Sequence, residues 1–444
     1  MARRLKAWCV AVALLAGSVD ASALTLQQAY ERALQNDPTY RMAIQDRAAG
    51  RENRIIGRSA LLPSVVGNYS ANQVRADIDY GKDILGRDNI QHPKYISRSA
   101  VVQLRQPLFS MEAYARYKQG VAQSNYSEAV FDARTADVAV RVVGAYLEAL
   151  YAEEQLRLIK AQRDMYAEQR TVNDRTFKAG EGTRTDMLET QARLDLAEAQ
   201  VLEAQDQVLN SRNALAAIIG GEVDSLQGLG DSFRPRPLAP ASFEAWRELA
   251  LKNNPDLEAA NFAIEAARQE LNKARSGHIP RVDLIGSYSK NASETLNTLG
   301  QDSTQRAIGV QVNIPIYQGG YVNAVSRQAS AGLEKARAEL ELRTDKVTNE
   351  LRKEFNAAQT SMVKIEAYEK AVSSGELLVK ATEQSIKGGV RINLDLLNAR
   401  QQLFTSQRDL AMARYGYMIA NLRLRAHAGT LMPGDVRDLG TYFR

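Results

Sequence analysis

Three histidines, one cysteine and no converging set of acids and bases leave this chain little means of catalysis. His92, His278 and His427 stand far apart, so neither a short-spaced set of metal ligands nor a histidine-centred triad is visible. Cys9 is the only cysteine, which excludes a disulfide framework and any zinc or iron–sulfur site built on thiolates. The 57 Lys and Arg nearly balance the 52 Asp and Glu and form no dense basic stripe, so nucleic acid is not an indicated partner. What remains is hydrogen bonding, turn formation and packing. By residue type, Asp186 is an acid in the first turn of a helix, favoured by the helix dipole. Arg391 is an exposed loop cation. Gly180, Gly182, Gly388 and Gly389 fall in two turn segments, 178–182 and 387–390, where glycine accepts positive φ.

The elements that must position these residues begin after an export address. At 45% apolar and 25% charged residues, the 444-residue chain is ordered and has ample core. Residues 1–23 read as a signal peptide. Arg3, Arg4 and Lys6 form the basic start, 7–16 the apolar stretch, and Ala21-Ser22-Ala23 a small-x-small site with cleavage after Ala23. The apolar stretch of about 10 residues falls short of the ~20 that span a membrane. Leu15-Ala16-Gly17 is followed by Ser18, not by the cysteine a lipid anchor requires. Cleavage removes Cys9 and leaves an exported chain dependent on packing or oligomerisation. No later apolar run is long enough for a spanning helix. A β-barrel stays open, because its strands carry only weak hydropathy signals.

The chain is written twice. Leu34, Asn36, Pro38 and Pro63 correspond to Leu251, Asn253, Pro255 and Pro280. Gln103 and Pro107 correspond to Gln311 and Pro315. Lys178, Gly180, Asp186, Leu188, Leu194 and Gly220 correspond to Lys387, Gly389, Asp395, Leu397, Leu403 and Gly429. A period of roughly 210 residues is far too long for a solenoid and means two similar halves. The first structural repeat is 24–220, the linker 221–241, the second repeat 242–429 and the tail 430–444. Each repeat reads as helix, strand pair, very long helix, medium helix. In the first, 26–58 is helical with a break before Pro38. Residues 62–73 and 97–109 are strands with a long polar loop, 74–95, between them. Residues 113–177 are a long helix with a seam at Val138, Val142, Ala145 and Ala149, and 185–219 a shorter one. The second repeats this with a helix at 243–276, strands at 280–289 and 306–317, and helices at 323–386 and 393–427.

The lengths suggest an object. A helix of about 65 residues spans roughly 100 Å, and two of about 35 laid end to end match it. The strand pairs then gather at one end and the glycine turns at the other. Each strand of about 10 to 12 residues suits a tilted membrane strand. Four strands cannot close a membrane barrel, which needs about 8 or more and tolerates no open edge in lipid. If they span a membrane, several chains share one barrel; on periodicity alone, a soluble coiled-coil protein with small hairpins stays open.

Ile314-Pro315-Ile316-Tyr317-Gln318-Gly319-Gly320 closely resembles the strand-to-helix junction of the TolC family of outer-membrane channel-tunnels. Gly277-His278-Ile279-Pro280 and Leu61-Leu62-Pro63 resemble its helix-to-strand junctions, and Ala413-Arg414-Tyr415-Gly416-Tyr417 and Ala428-Gly429-Thr430-Leu431 its last helix. The resemblance covers both halves. It implies a mainly α fold with a membrane β-barrel part: an internally duplicated, long-helix α-barrel with four strands per chain, trimeric, so that three chains share a 12-stranded barrel.

The resemblance also implies roles. Asp186 matches a carboxylate, and Arg391 its arginine partner, that tether neighbouring helix pairs and close the periplasmic end through paired hydrogen bonds. A further tyrosine link falls on Ile386, which has no hydroxyl. Asp395 matches the first of two carboxylates ringing the pore constriction, and the second falls on Asn398, so block by cations is expected to be weaker than in a two-ring relative. The glycine turns are expected to dock a periplasmic adaptor. The expected function is a passive exit duct, not an enzyme and without a cofactor. It is expected to lie in the outer membrane of a Gram-negative bacterium, among outer-membrane lipid, with a long periplasmic extension. It is expected to serve type I protein secretion with a periplasmic adaptor (membrane fusion protein) and an inner-membrane ABC or other transporter, and to pass a polypeptide cargo. The alternatives are an exit duct for small-molecule or multidrug efflux and, in another class, a periplasmic coiled-coil scaffold without a pore.

Overall fold

Each half opens with a helix broken in two, and proline is the cause. In the computed structural model, which describes residues 23–180, 182–230, 233–295 and 298–443, α1 (Leu26–Asn36) and α2 (Pro38–Ser59) part at Asp37. The predicted leader, but for Ala23, lies outside the described residues, as does Glu181. Asp37 is extended, with ψ 117°, because the residue before proline is driven out of the helical region. Thr25 starts α1 with a capping box, its hydroxyl accepting from the Gln28 amide at 3.1 Å. The first half continues with β1 (Ser64–Arg75), β2 (Ile78–Lys82), β3 (Asp88–Gln91), β4 (Lys94–Phe109), α3 (Met111–Lys178) and α4 (Arg184–Ile219). The second half repeats the plan. α5 (Phe243–Asn253) and α6 (Pro255–Arg275) part at Asn254, with ψ 121°. A short 3-10 turn leads to β5 (Arg281–Thr295), β6 (Thr298–Asn313), α7 (Tyr321–Lys387) and α8 (Asn393–His427), and α9 (Pro433–Gly440) follows. No helix among the described residues is long and apolar enough to cross a membrane.

The strands differ from the sequence reading at their ends. β1 and β4 run on to pair Arg75 with Lys94, and β2 pairs with β3 inside the segment expected to be a loop. There, Gly81 and Gly86 take positive φ, and Asp83 Oδ1 accepts from the Leu85 and Arg87 amides at 2.8 and 3.0 Å. β5 and β6 likewise reach further towards their hairpin, to Thr295 and Thr298. Residues 314–317, expected to be strand, leave the sheet, since Pro315 has no amide to give it. Ladder bonds need no apolar side chain, so the sheet outlasts the apolar alternation from which it was read.

The chain forms two compact units. One comprises the chain up to Gln45, Phe131–Pro255 and Thr344–Arg444; the other comprises Asp46–Val130 and Asp256–Arg343. In the second unit the strands form one antiparallel sheet in the order β1-β4-β5-β6. Its register sorts residues by face. Val65, Tyr69, Val102, Leu104, Val282, Leu284, Ile308, Val310 and Val312 share one face. Ser64, Asn68, Gln103, Arg105, Asp283, Ser287, Gln305 and Gln311 share the other. Buried Asp283 accepts from Arg105 Nη2 at 2.8 Å and meets Arg281 at 3.1 Å. α2 closes on α3 where Gly57 meets Gly120, 3.3 Å from the position a Cβ on Gly120 would occupy.

In the first unit the core gathers α1, α3, α4, α8, α9 and the linker. Val138, Val142, Val143, Tyr146 and Ala149 of α3 pack with Leu215 and Ile219 of α4 and with Met418 and Leu422 of α8. The predicted seam is this core. Linker residue Phe233 stacks edge-on against Tyr442 with centroids 5.0 Å apart, and Phe443 meets Tyr146 at 5.6 Å. The tail is therefore pinned into the core. Each half closes on an asparagine: Asn36 Nδ2 donates to Ile219 O at 3.0 Å, and Asn254 Nδ2 to His427 O at 2.8 Å. These amides satisfy carbonyls left bare where α4 and α8 end.

Candidate functional site

The two glycine turns are built to stop long helices sharply. α3 ends at Gly180, with φ +79°, and its fold-back is held by the Gly182 amide on Thr176 O at 3.2 Å. α7 ends at Gly389, with φ +72°. There the Gly389 amide donates to Ile386 O and the Val390 amide to Ser385 O, both at 2.9 Å, the paired bonds of a Schellman cap. A side chain at Gly180 or Gly389 would be strained whatever the space around it. Gly182 and Gly388 have ordinary φ, and Gly182 is wanted for close approach, since a Cβ there would sit 3.0 Å from the Phe177 nitrogen. Val390 and Ile392 beside the second turn are exposed, as are Phe177 and Leu188 beside the first.

Of the four residues predicted for the gate and the constriction, Asp186 has a local role within the chain. Asp186 completes a capping box at the start of α4: its amide donates to Thr183 Oγ1 at 3.1 Å, and its Oδ2 accepts from the Thr183 hydroxyl at 2.5 Å. Its Oδ1 has no partner among the described residues. Arg391 is exposed and forms no ion pair within the chain among the described residues, so the chain alone does not bring Asp186 and Arg391 together. Asp395 is a half-buried acid in the first turn of α8, and Asn398 is exposed one turn on.

Asn398 has a partner that sequence reasoning missed. Arg193 of α4 donates from Nη2 to Asn398 Oδ1 at 3.0 Å and lies 3.5 Å from Glu189 on its own helix. This bond belongs to a series of polar links. Asn173 Nδ2 of α3 donates to Thr190 Oγ1 of α4 at 2.8 Å. Gln169 of α3 donates to Asn393 Oδ1 of α8 at 2.8 Å. Tyr166 donates its hydroxyl to Gln401 Oε1 at 3.0 Å, and Gln162 donates to the same oxygen. Arg400 of α8 donates to Glu383 Oε1 of α7 at 2.6 Å. A cavity of about 300 Å³ with a mixed lining interrupts the packing beyond them, glutamines such as Gln155, Gln162, Gln200 and Gln401 facing it together with Leu158 and Phe404. These helices are thus joined by replaceable hydrogen bonds, with one small apolar cluster, Tyr166, Leu194, Ala197 and Leu397, among them. Such contacts can be exchanged for others at low cost, which suits a moving part. Asp186 reads from sequence as a first-turn acid, and the Thr183-x-x-Asp186 spacing, the one local signal of a cap here, was passed over. The other links join residues far apart in sequence and carry no motif.

The three histidines remain apart: His92 meets Asp77, His278 meets Asn323, and the His427 carbonyl accepts from Asn254. No group of three or more His, Cys, Asp or Glu is placed to hold a metal among the described residues.

Known proteins match this arrangement along nearly its whole length. The family described as Outer membrane efflux protein matches residues 29–221 and 246–430, one stretch in each half. The chain is 41% identical to the alkaline protease secretion protein AprF of Pseudomonas aeruginosa over 443 residues, covering 99% of this chain and 92% of the relative. It is 36% identical to the proteases secretion protein PrtF of Dickeya chrysanthemi, covering 99% and 96%. Among solved structures, the outer membrane protein VceC of Vibrio cholerae superposes with a TM-score of 0.77 at 20% identity, covering 91% of this chain and 96% of that one.

Proposed function

The chain belongs to the outer membrane efflux protein family, the TolC-like channels, and from that premise we propose that it is the passive outer-membrane exit duct of a type I protein secretion system. The two-faced sheet carries this reading. One face is apolar, as lipid requires, and the other polar, as a water-filled lumen requires. Four strands leave the outer edges of β1 and β6 open, and three copies, the number the resemblance implies, would close a barrel of twelve. The family performs transport, and the duct itself would do no catalysis. An inner-membrane transporter supplies the energy and chooses the cargo. A periplasmic adaptor docks on the glycine turns, where Val390, Ile392, Phe177 and Leu188 offer apolar contact. Relatives named for protease secretion favour a polypeptide cargo over small-molecule efflux.

In the resting duct, Asp186 and Arg391 form the gate. The free Oδ1 of Asp186 can accept from a guanidinium while Thr183 holds Oδ2, and unpaired Arg391 is the available donor. Ile386 offers no hydroxyl, so this link bears more of the closure. The test is single-channel conductance of the purified protein in a planar bilayer, alongside Arg391→Ala. A small, stable wild-type conductance that rises several-fold in the variant is expected. A pore indifferent to the substitution would remove this gate and keep the duct. Folded protein with no conductance in either form would favour a scaffold.

A further inference from the structure

On the apolar face of the β1-β4-β5-β6 sheet, apolar side chains give way to cations as each strand runs away from the helices. β6 presents Val312, Val310 and Ile308, then Arg306. β5 presents Val282, Leu284, Gly286 and Tyr288, then Lys290. β4 presents Leu104, Val102 and Ala100, then Arg98. The register places Arg306 opposite Tyr288, Lys290 opposite Ala100 and Arg98 opposite Ala292, so the three cations occupy successive rows on three neighbouring strands. Rows on one face lie roughly 7 Å apart along a strand. Arg75 and Lys94, paired across β1 and β4, continue the series. Asp302, opposite Ala292, is the one acid among the described side chains of this stretch of the face.

All of these cations are exposed, and Arg98, Lys290 and Arg306 form no ion pair among the described residues. The Arg306 guanidinium lies 5.7 Å from the centre of the Tyr288 ring, which holds it at the border of the apolar band. Tyr69, in the Lys290–Ala100 row and one row from Arg98, adds a second exposed ring on this face. Unpaired cations and aromatic rings where an apolar band ends fit a surface that meets anionic headgroups. The helices join the sheet at its other end, α2 ending at Ser59 and α3 starting at Met111, so the cations lie towards the hairpins.

We propose that Arg98, Lys290 and Arg306 form a rim that binds the phosphate groups of an anionic glycolipid in the outer leaflet. The proposal rests on the channel reading, which makes the apolar face the lipid face and the hairpin end the outer one. Arginine would grip phosphate with paired hydrogen bonds, and lysine would add a point charge between them.

The test uses the purified full chain in mixed micelles containing diphosphoryl lipid A or its dephosphorylated form, with bound lipid counted by native mass spectrometry. Retention of the diphosphoryl form by the wild type is expected to exceed that of the dephosphorylated form by about ten-fold or more, since several basic side chains face the phosphates together. The R98Q/K290Q/R306Q variant should lose the preference, and R98K/K290R/R306K, which keeps every charge, should retain most of it. If the triple glutamine variant does not fold, R306Q alone should reduce the preference several-fold. A wild type with no preference, or a glutamine variant that keeps it, would overturn the rim. Displacement of lipid A by inorganic phosphate at equal concentration would overturn the lipid as ligand. Conductance of the same wild-type preparation separates the two ideas: a pore without lipid preference removes only the rim, and folded protein without a pore removes the channel reading beneath it.

Discussion

Arg193 and Asn398 set the charge of the proposed constriction together. A second carboxylate at position 398 would double the negative charge contributed there by Asp395. Instead an amide stands there and accepts from a guanidinium at 3.0 Å. Two predictions follow from this one contact, and a trivalent-cation titration of bilayer conductance reads both. Asn398→Asp should block at about ten-fold lower cation concentration, because a second ring of like charge strengthens the field at the narrow point. Arg193→Ala should raise the resting conductance modestly, since a partly exposed charge-assisted bond is worth roughly 1 kcal/mol. Unchanged block in Asn398→Asp would mean that position 398 lies away from the narrow point. At this scale the sequence was legible only where partners are neighbours. The Thr183–Asp186 capping box can be read from its spacing. Arg193 and Asn398 lie in different halves of the chain, and no local pattern announces a bond between an arginine and an asparagine.

Elements were more legible than residues, because proline and glycine act locally. Pro38 breaks its helix for the reason the sequence suggested, Pro255 breaks in the same way the stretch 243–276 expected to be one helix, and Gly180 and Gly389 end theirs at positive φ. Strand ends were less legible, since backbone pairing continues through the polar residues of 74–95. The linker was readable as a break but not as part of the core. Its role depends on Tyr146 of α3, whose buried hydroxyl donates to Leu24 O at 2.9 Å and accepts from the Gln227 amide at 3.2 Å. Tyr146→Phe should therefore cost about 1–2 kcal/mol and lower the thermal midpoint, with the loss centred on the linker. Burial pushes the Tyr146 hydroxyl above the ordinary phenol range; the bond to Gln227 opposes this and the Glu153 charge adds to it. A folded acid with a raised pKa contributes its full stability below the unfolded value and loses it as pH rises through the folded one. Thermal melts from about pH 10 upward should thus show the wild type falling towards Tyr146→Phe. A constant difference between the two across that range would show that the hydroxyl does not titrate on unfolding.

For the molecule as a whole, the number of chains is the property that a single chain states least directly. The open edges of β1 and β6 demand a neighbour, but edge chemistry is the same for two, three or four copies. The resemblance implies three, which makes the number a proposal to be tested. A second surface also asks for a neighbour: Leu196, Leu202 and Leu209 of α4 are all more than half exposed, apolar side chains at near-heptad spacing that a helix of a neighbouring copy would cover. Cys9 is the only cysteine, so a pair introduced into Cys9→Ser protein reports without interference. Ser70 on β1 and Ser303, Gln305, Ala307, Gly309 and Gln311 on β6 share the polar face, and a disulfide forms only where two Cα atoms lie within about 7 Å. Ser70→Cys combined in turn with a cysteine at each β6 position should give a covalent trimer at one or two adjacent positions and monomer at the rest, because strand pairing fixes a single register. A ladder stopping at dimer, or monomer at every position, would break the twelve-strand barrel. A trimer at one register would place β1 of one copy beside β6 of the next and close in lipid the two edges that one chain leaves open.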